Sequence, residues 1–254
     1  MSGPERDRSE PATYVYGITP ADASAPDVSG IGEAEAAVRV VRSGELGALV
    51  SDVDRPEVES ARALRAHARV LDAAIAAGPV VPLRFGTMVD DEAAVVSEVL
   101  EPYRDRYDDL LDRLGQHVEI AVRVTYDEDA VLRDLIASDP AIAARHERIA
   151  GVDPDAAYYE RIELGEQILG ALEQRREGDA AEIYDALCEV ADDVSVKELL
   201  RPEMVVNGTF LVRRSGVGEF YDAIGSSTEA HPELRVRFIG PLPPYSFSDV
   251  ELVG

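Results

Sequence analysis

Lysine occurs once in this chain, at Lys197, and cysteine once, at Cys188. A lone cysteine excludes an intrachain disulfide. It falls in a helix-like run, EIYDALCEVADD, with no cation or histidine beside it to activate the thiol, so the expected role is a small buried core residue. Histidines are four, His67, His117, His146 and His231. Their spacing forms neither HExxH nor a His/Cys zinc pattern, and His67 reads as a surface or cap-side residue. There is no GxSxG elbow and no Walker phosphate loop. The single GxG, Gly216–Val217–Gly218, continues without the dinucleotide spacing and reads as a loop before a helix. No apolar run reaches the roughly 18 residues that a membrane helix needs. The start, MSGPERDRSEP, lacks the basic and apolar segments of a secretory signal and reads as a disordered leader over residues 1–12. The expectations are no enzyme, no cofactor, no metal and no lipid membrane as partner.

Acid, by contrast, is abundant. The 254 residues carry 50 Asp and Glu against 25 Lys and Arg, a formal net charge of −25. Phosphate binding needs clustered cations, and here the arginines are interleaved with carboxylates, as in RDRYDDLLDR, so nucleic acid is excluded as a partner. Such a charge repels itself at low ionic strength. Salt at 1 M shortens the screening length to about 3 Å and strengthens apolar burial, so the composition points to a salt-loving source. Hydrophobic residues still make up 46% of the chain, enough for one large core or two small ones.

Periodicity divides the chain near Leu114–His117. The first half reads as strands at Thr13–Thr19, Ala37–Arg42 and Leu46–Val53. A helix follows, from near Pro56 to Ala77, with Leu64, Ala68, Leu71 and Ile75 on one face. Gly78 and Pro79 stop it. After the extended PVVPLRFGTM comes a long helix over residues 91–114, capped by Thr87 or Asp90. The second half reads as a strand at Val118–Tyr126, helices over 128–137, 140–149 and 154–176, a break at Gly178, and a helix over 179–190. Strands at Val194–Leu200 and Val205–Arg213, a helix at Gly218–Ala230 and a strand at Leu234–Ile239 complete it. The expected fold class is α+β, with two α+β domains over 13–115 and 116–254. The order of the second matches a ferredoxin-like split βαβ unit with an enlarged helical crossover.

Two segments stand apart. In VVPLRFGTM a lone arginine, Arg84, sits inside an apolar run. It reads either as half of an ion pair at a domain seam or as a contact surface. In GPLPPYSF the prolines enforce an extended chain while Tyr245 and Phe247 supply apolar anchors. That tail reads as a strap over the domain's own core, with docking to a partner as the alternative. Pro82, Arg84, Phe85, Pro244, Tyr245 and Phe247 are the candidate partner or domain-seam contacts.

Taken in order, YVYGI at Tyr14–Ile18, His67, PLRFGT at Pro82–Thr87, the acidic helix, the strand at Val118–Val124, NGTFLV at Asn207–Val212 and GPLPPYSF at Gly240–Phe247 resemble the gas vesicle protein F/L family, GvpF and GvpL. With the acidic charge, the resemblance points to a haloarchaeal member; the motifs do not separate F from L. The resemblance implies two α+β domains, one a modified ferredoxin fold. It implies a cytoplasmic protein associated with the gas vesicle, acting as a minor component or assembly factor. The implied partners are the major shell protein GvpA and other gas vesicle accessory proteins. It carries no catalytic residue and no cofactor. A regulatory or small-ligand-binding module is the other reading, because fold does not fix function.

Overall fold

The computed structural model describes residues 11–32, 36–54, 60–153 and 156–248. The leader expected over residues 1–12 falls almost wholly outside them, as does Pro56. The chain is α+β and divides into two compact units, residues 1–119 with 241–254, and residues 120–240.

The first unit is built on β1 (Pro11–Pro20), which lies inside a sheet of order β2–β3–β1–β4 with β2 at Arg39–Ser43, β3 at Leu46–Asp54 and β4 at Val81–Pro82; β5 (Met88–Val89) also pairs with β1. A central strand has both faces covered, which is why Tyr14, Val15, Tyr16 and Ile18 are all fully buried. β1 bulges between Val15 and Gly17. A Cβ at Gly17 would come within 2.8 Å of the Val81 carbonyl, so only glycine lets β4 approach there. The β2–β3 hairpin turns at Gly44, whose φ of 61° favours glycine.

Helix α1 (Ala61–Ala77) starts at Ser60, whose hydroxyl accepts from the Ala63 N–H at 3.0 Å. Its buried face is Ala63, Ala66, His67, Val70, Leu71, Ala74 and Ile75. The expected face is thus rotated: Leu64 is 52% exposed and His67 is buried at 2%. An alanine-rich helix offers several nearly equivalent stripes. Packing of the small Ala63, Ala66 and Ala74 selects this one and carries the imidazole inward. The long helix expected over 91–114 is also corrected. Asp91 caps a short α2 (Glu92–Ala94), a π-helical turn (Val95–Leu100) and a 3-10 turn (Glu101–Tyr103) follow, and α3 (Arg104–Leu114) resumes. Pro102 has no N–H to donate and clashes with the preceding turn, so the helix changes its winding there.

The second unit follows β6 (His117–Tyr126) with α4 (Glu128–Ser138), α5 (Pro140–Ile149) and α6 (Tyr158–Cys188). Then come β7 (Asp193–Val196), β8 (Met204–Arg213), α7 (Val217–Ala230) and β9 (Leu234–Leu242). The antiparallel sheet has the order β7–β8–β6–β9, the ferredoxin-like order, with three helices in the first crossover. Asp127 and Asp139 cap α4 and α5 through their side chains. Helix α6 runs through Gly178 without the expected break. One helical glycine costs about 1 kcal/mol, and the turns beyond it are held by the buried Ile183 and Leu187. β7 stops at Val196 instead of reaching Leu200, and β9 continues through Pro241, which an edge strand tolerates.

The proline-rich tail does not stay with the second domain to which the sequence reading assigned it. Residues from Pro241 onward belong to the first unit, because every partner of the tail described below lies there.

Candidate functional site

In the first unit an imidazole is held between two phenols. α1 presents His67 inward, β1 presents Tyr14, and the tail presents Tyr245. The Tyr14 hydroxyl lies 2.9 Å from His67 Nδ1 and the Tyr245 hydroxyl 2.9 Å from Nε2. Tyr14 also accepts from the Gly86 N–H at 3.0 Å, which ties the PLRFGT turn to the same group. Both ring nitrogens are thereby satisfied in either neutral tautomer. Burial pushes the His67 pKa down from 6.5 to about 4. Burial likewise raises the Tyr14 and Tyr245 hydroxyls, the latter also through the nearby Tyr14, Asp72 and Glu119. The trio is therefore neutral near pH 7.

Beside it, Tyr16 accepts from the Ile31 N–H at 2.6 Å and lies 2.8 Å from Ser51 Oγ. Ser51 spends its one proton on the Ile31 carbonyl at 3.1 Å, so Tyr16 is the donor in their pair. Phe85 meets His67 edge-on at 5.5 Å.

The tail is fixed at each following residue. The Ser246 N–H donates to Glu119 Oε2 at 2.7 Å, Arg113 donates to the Phe247 carbonyl at 2.6 Å, and Ser248 Oγ donates to the Pro82 carbonyl at 3.3 Å. Pro243, Pro244 and Phe247 are buried, while Tyr245 keeps 37% of its surface exposed. Five of the six candidate contacts, Pro82, Phe85, Pro244, Tyr245 and Phe247, thus lie in one unit, in or beside the tail's seat. Arg84 is different: it is exposed, outside the buried part of that seat. The side chains that sequence reasoning missed are His67, Tyr14, Arg113 and Glu119. The alternation of Tyr14 with Tyr16 marked a buried strand face but not what it would bond.

Chemically this arrangement clamps. It sets hydroxyls against an imidazole with no activated nucleophile, and it closes apolar surface under the tail.

The second unit holds a charged hub. Arg175 pairs with Asp134, Asp179 and Glu233, and the Tyr126 hydroxyl donates to Asp179 at 2.6 Å. Asp179, His231 and Glu233 could offer three metal ligands within 4.8 Å of one another. The Arg175 guanidinium pairs with two of them, Asp179 and Glu233, so part of the cluster's negative charge is already offset by an ion pair. The core cavity lined by Val122, Val124, Leu187 and Val236 is about 10 Å³, the space of one water at most.

What distinguishes the second unit is its surface. Of the 14 exposed large hydrophobic residues among those described, 11 lie between residues 120 and 240, so exposure is concentrated there. On α6, Tyr158 is 58% exposed, Ile162 43% and Leu169 59%. Their spacing of four and seven puts all three on one helix face, with Glu166 and Glu173 alongside. Val196, Leu200, Phe238 and Ile239 are exposed on or next to the sheet's two outer strands.

Comparison with known proteins bears on these features. The family model described as gas vesicle synthesis protein GvpL/GvpF matches residues 12–249. Gas vesicle protein F of a Streptomyces species is 37% identical over 243 residues, covering 93% of this chain and 99% of that protein. Gas vesicle protein L of the same Streptomyces is 28% identical over 267 residues, covering 93% and 92%. The crystal structure of the gas vesicle protein GvpF from an Anabaena species superposes with a TM-score of 0.78 at 26% identity, covering 94% of this chain and 99% of that one. A Streptomyces relative at this identity means that similarity does not point to a haloarchaeon. The salt-adapted reading rests on charge alone.

Proposed function

Because the chain belongs to the gas vesicle synthesis protein GvpL/GvpF family, we propose that it serves gas vesicle synthesis as a non-catalytic accessory protein that binds the major shell protein GvpA. It keeps that apolar subunit from aggregating before it joins the growing wall, and it acts in the cytoplasm at the vesicle. The higher identity to protein F than to protein L of one organism, 37% against 28%, favours the F role.

One observation carries the partner reading: the face of α6 formed by Tyr158, Ile162 and Leu169, apolar and open on a chain of net charge −25. An exposed apolar stripe contributes binding energy on contact with a second apolar surface, at about 25 cal/mol per Å² removed from water. The surrounding carboxylates keep the complex soluble. No helix among the described residues is long and apolar enough to cross a membrane.

A strain lacking this protein, with no paralogue compensating, is expected to make no intact floating vesicles; normal vesicle numbers would refute the assignment. The charge makes a separate prediction. The melting temperature should rise from 0.1 M to molar KCl as the screening length falls from about 10 Å to about 3 Å. A flat salt series would remove the salt-adapted reading and leave the family role untouched.

A further inference from the structure

Among the described residues, the second unit's sheet ends in two strands that have a neighbour on one side only, β7 and β9. The outer main-chain groups of such strands are templates for another strand. The two edges are unlike. Pairing of β7 with β8 sets Val194 opposite Phe210 and Val196 opposite Gly208. Phe210 packs against Tyr184 of α6 and Phe220 of α7, so both valines lie on the helix-covered side. Alternation puts Asp193 and Ser195 on the other side. On β9, Leu234 and Val236 line the core cavity, and Phe238 packs on Tyr221 of α7 at 4.9 Å. That leaves Arg235, Arg237 and Ile239 on the side away from the helices.

We propose that β9 of one copy pairs with β7 of a second copy, joining their four-stranded sheets edge to edge and head to tail. Three observations select a second copy as the occupant. First, direction: in an antiparallel sheet of order β7–β8–β6–β9 the two outer strands run oppositely, so β7 of the next copy meets β9 antiparallel and the alternation continues. Second, both sides match. In the register that sets Val194 opposite Phe238 and Val196 opposite Val236 on the helix side, Ser195 falls opposite Arg237 on the other side and Asp193 is the diagonal neighbour of Arg237, within reach of that long side chain. Third, exposure: Val196 is 64% exposed, Phe238 47% and Ile239 66%, and Arg237 makes no ion pair among the described residues.

Charged edge residues guard a sheet against pairing when the two edges are alike. Here the signs are opposite, so the charges disfavour β9 against β9 and β7 against β7 and favour β9 against β7. In a chain of net charge −25, approach of copies is repulsive overall, and the arginine-bearing edge is where it is least so. The contact is heterologous: every copy added leaves one free edge of each kind, and four strands advance the sheet by about 19 Å. Growth therefore continues past a dimer.

Sedimentation velocity on the full chain in molar KCl, over a wide concentration range, tests this. The wild type is expected to show a mass that climbs beyond dimer with concentration. Val196→Asp spoils the β7 edge and Arg237→Asp the β9 edge; both sites are exposed, and circular dichroism checks that each variant is folded. Each variant alone is expected to be monomeric. Mixed, they are expected to form a one-to-one dimer and nothing larger, because each retains the edge the other lacks. A monomeric wild type, a mass that stops at dimer, growth insensitive to both variants, or a mixture that stays monomeric would each overturn the proposal. Growth insensitive to both variants would place the contact between copies on another surface.

Discussion

The two units solve the problem of apolar surface in opposite ways. The first spends its polar groups on closing itself: Tyr14, Tyr245, Glu119 and Arg113 hold a proline-rich tail over the strand and helix beneath it. The second satisfies its own core and leaves an apolar helix face and two apolar sheet edges in contact with solvent. Closure of this kind contributes stability, and open surface contributes binding. Substitutions in the two units should therefore fail in different assays.

The largest expected effect tests the closure. A chain ending at Leu242 loses Phe247, Tyr245 and their hydrogen bonds. Truncating a buried phenylalanine alone costs about 3–5 kcal/mol, so chemical denaturation in molar KCl should show at least that loss. An unchanged denaturation midpoint would mean that the tail is a docking arm and not a strap.

Acid should act on the same unit. An unfolded imidazole takes up its proton near pH 6.5, whereas folded His67 stays neutral down to about 4. Between those values the unfolded chain binds the extra proton. Stability from this group is thus fully present above pH 6.5 and is lost as pH falls towards 4, by up to about 3 kcal/mol. NMR titration of His67 in the folded protein should give the low value directly, and an ordinary value would show that the imidazole is not enclosed.

Smaller still is the loss of one hydroxyl. Tyr245→Phe keeps the ring and leaves His67 Nε2 without its partner, a cost of about 1–2 kcal/mol. If thermal melts of that variant match the wild type, the phenol does not help hold the tail.

Least affected should be the second unit's helix face. Ile162→Ser and Leu169→Ser change side chains already in water, and stability should move by no more than about 0.5 kcal/mol. A larger drop would mean that the face is covered, which would erase the contrast between the units.

Much of this was legible in the chain. Strand alternation placed β1, β6 and β8, and the order of elements gave the ferredoxin-like unit with its enlarged crossover. The tail's own chemistry, prolines with two aromatic anchors, marked it as an extended segment with apolar anchors. Its seat was not legible. Tyr245 and His67 are 178 positions apart, and local pattern holds no record of pairs so distant. The buried side of α1 was missed because alanine is nearly neutral in a hydrophobic count, so Leu64 outweighed Ala63 and Ala66 until packing decided. Gly178 looked like a stop because a local penalty is visible in sequence and the burial of Ile183 and Leu187 that outweighs it is not. The exposed face of α6 was hidden for a similar reason: apolar residues spaced for a core look the same whether or not the fold covers them.

The central claim is that the open helix face of the second unit binds the shell protein. Its most direct test is a pull-down of GvpA in molar KCl by the wild type and by a Tyr158→Ser, Ile162→Ser, Leu169→Ser variant shown by circular dichroism to be folded. The account predicts capture by the wild type and loss of capture by the variant at unchanged melting temperature. Equal capture by both proteins would contradict it.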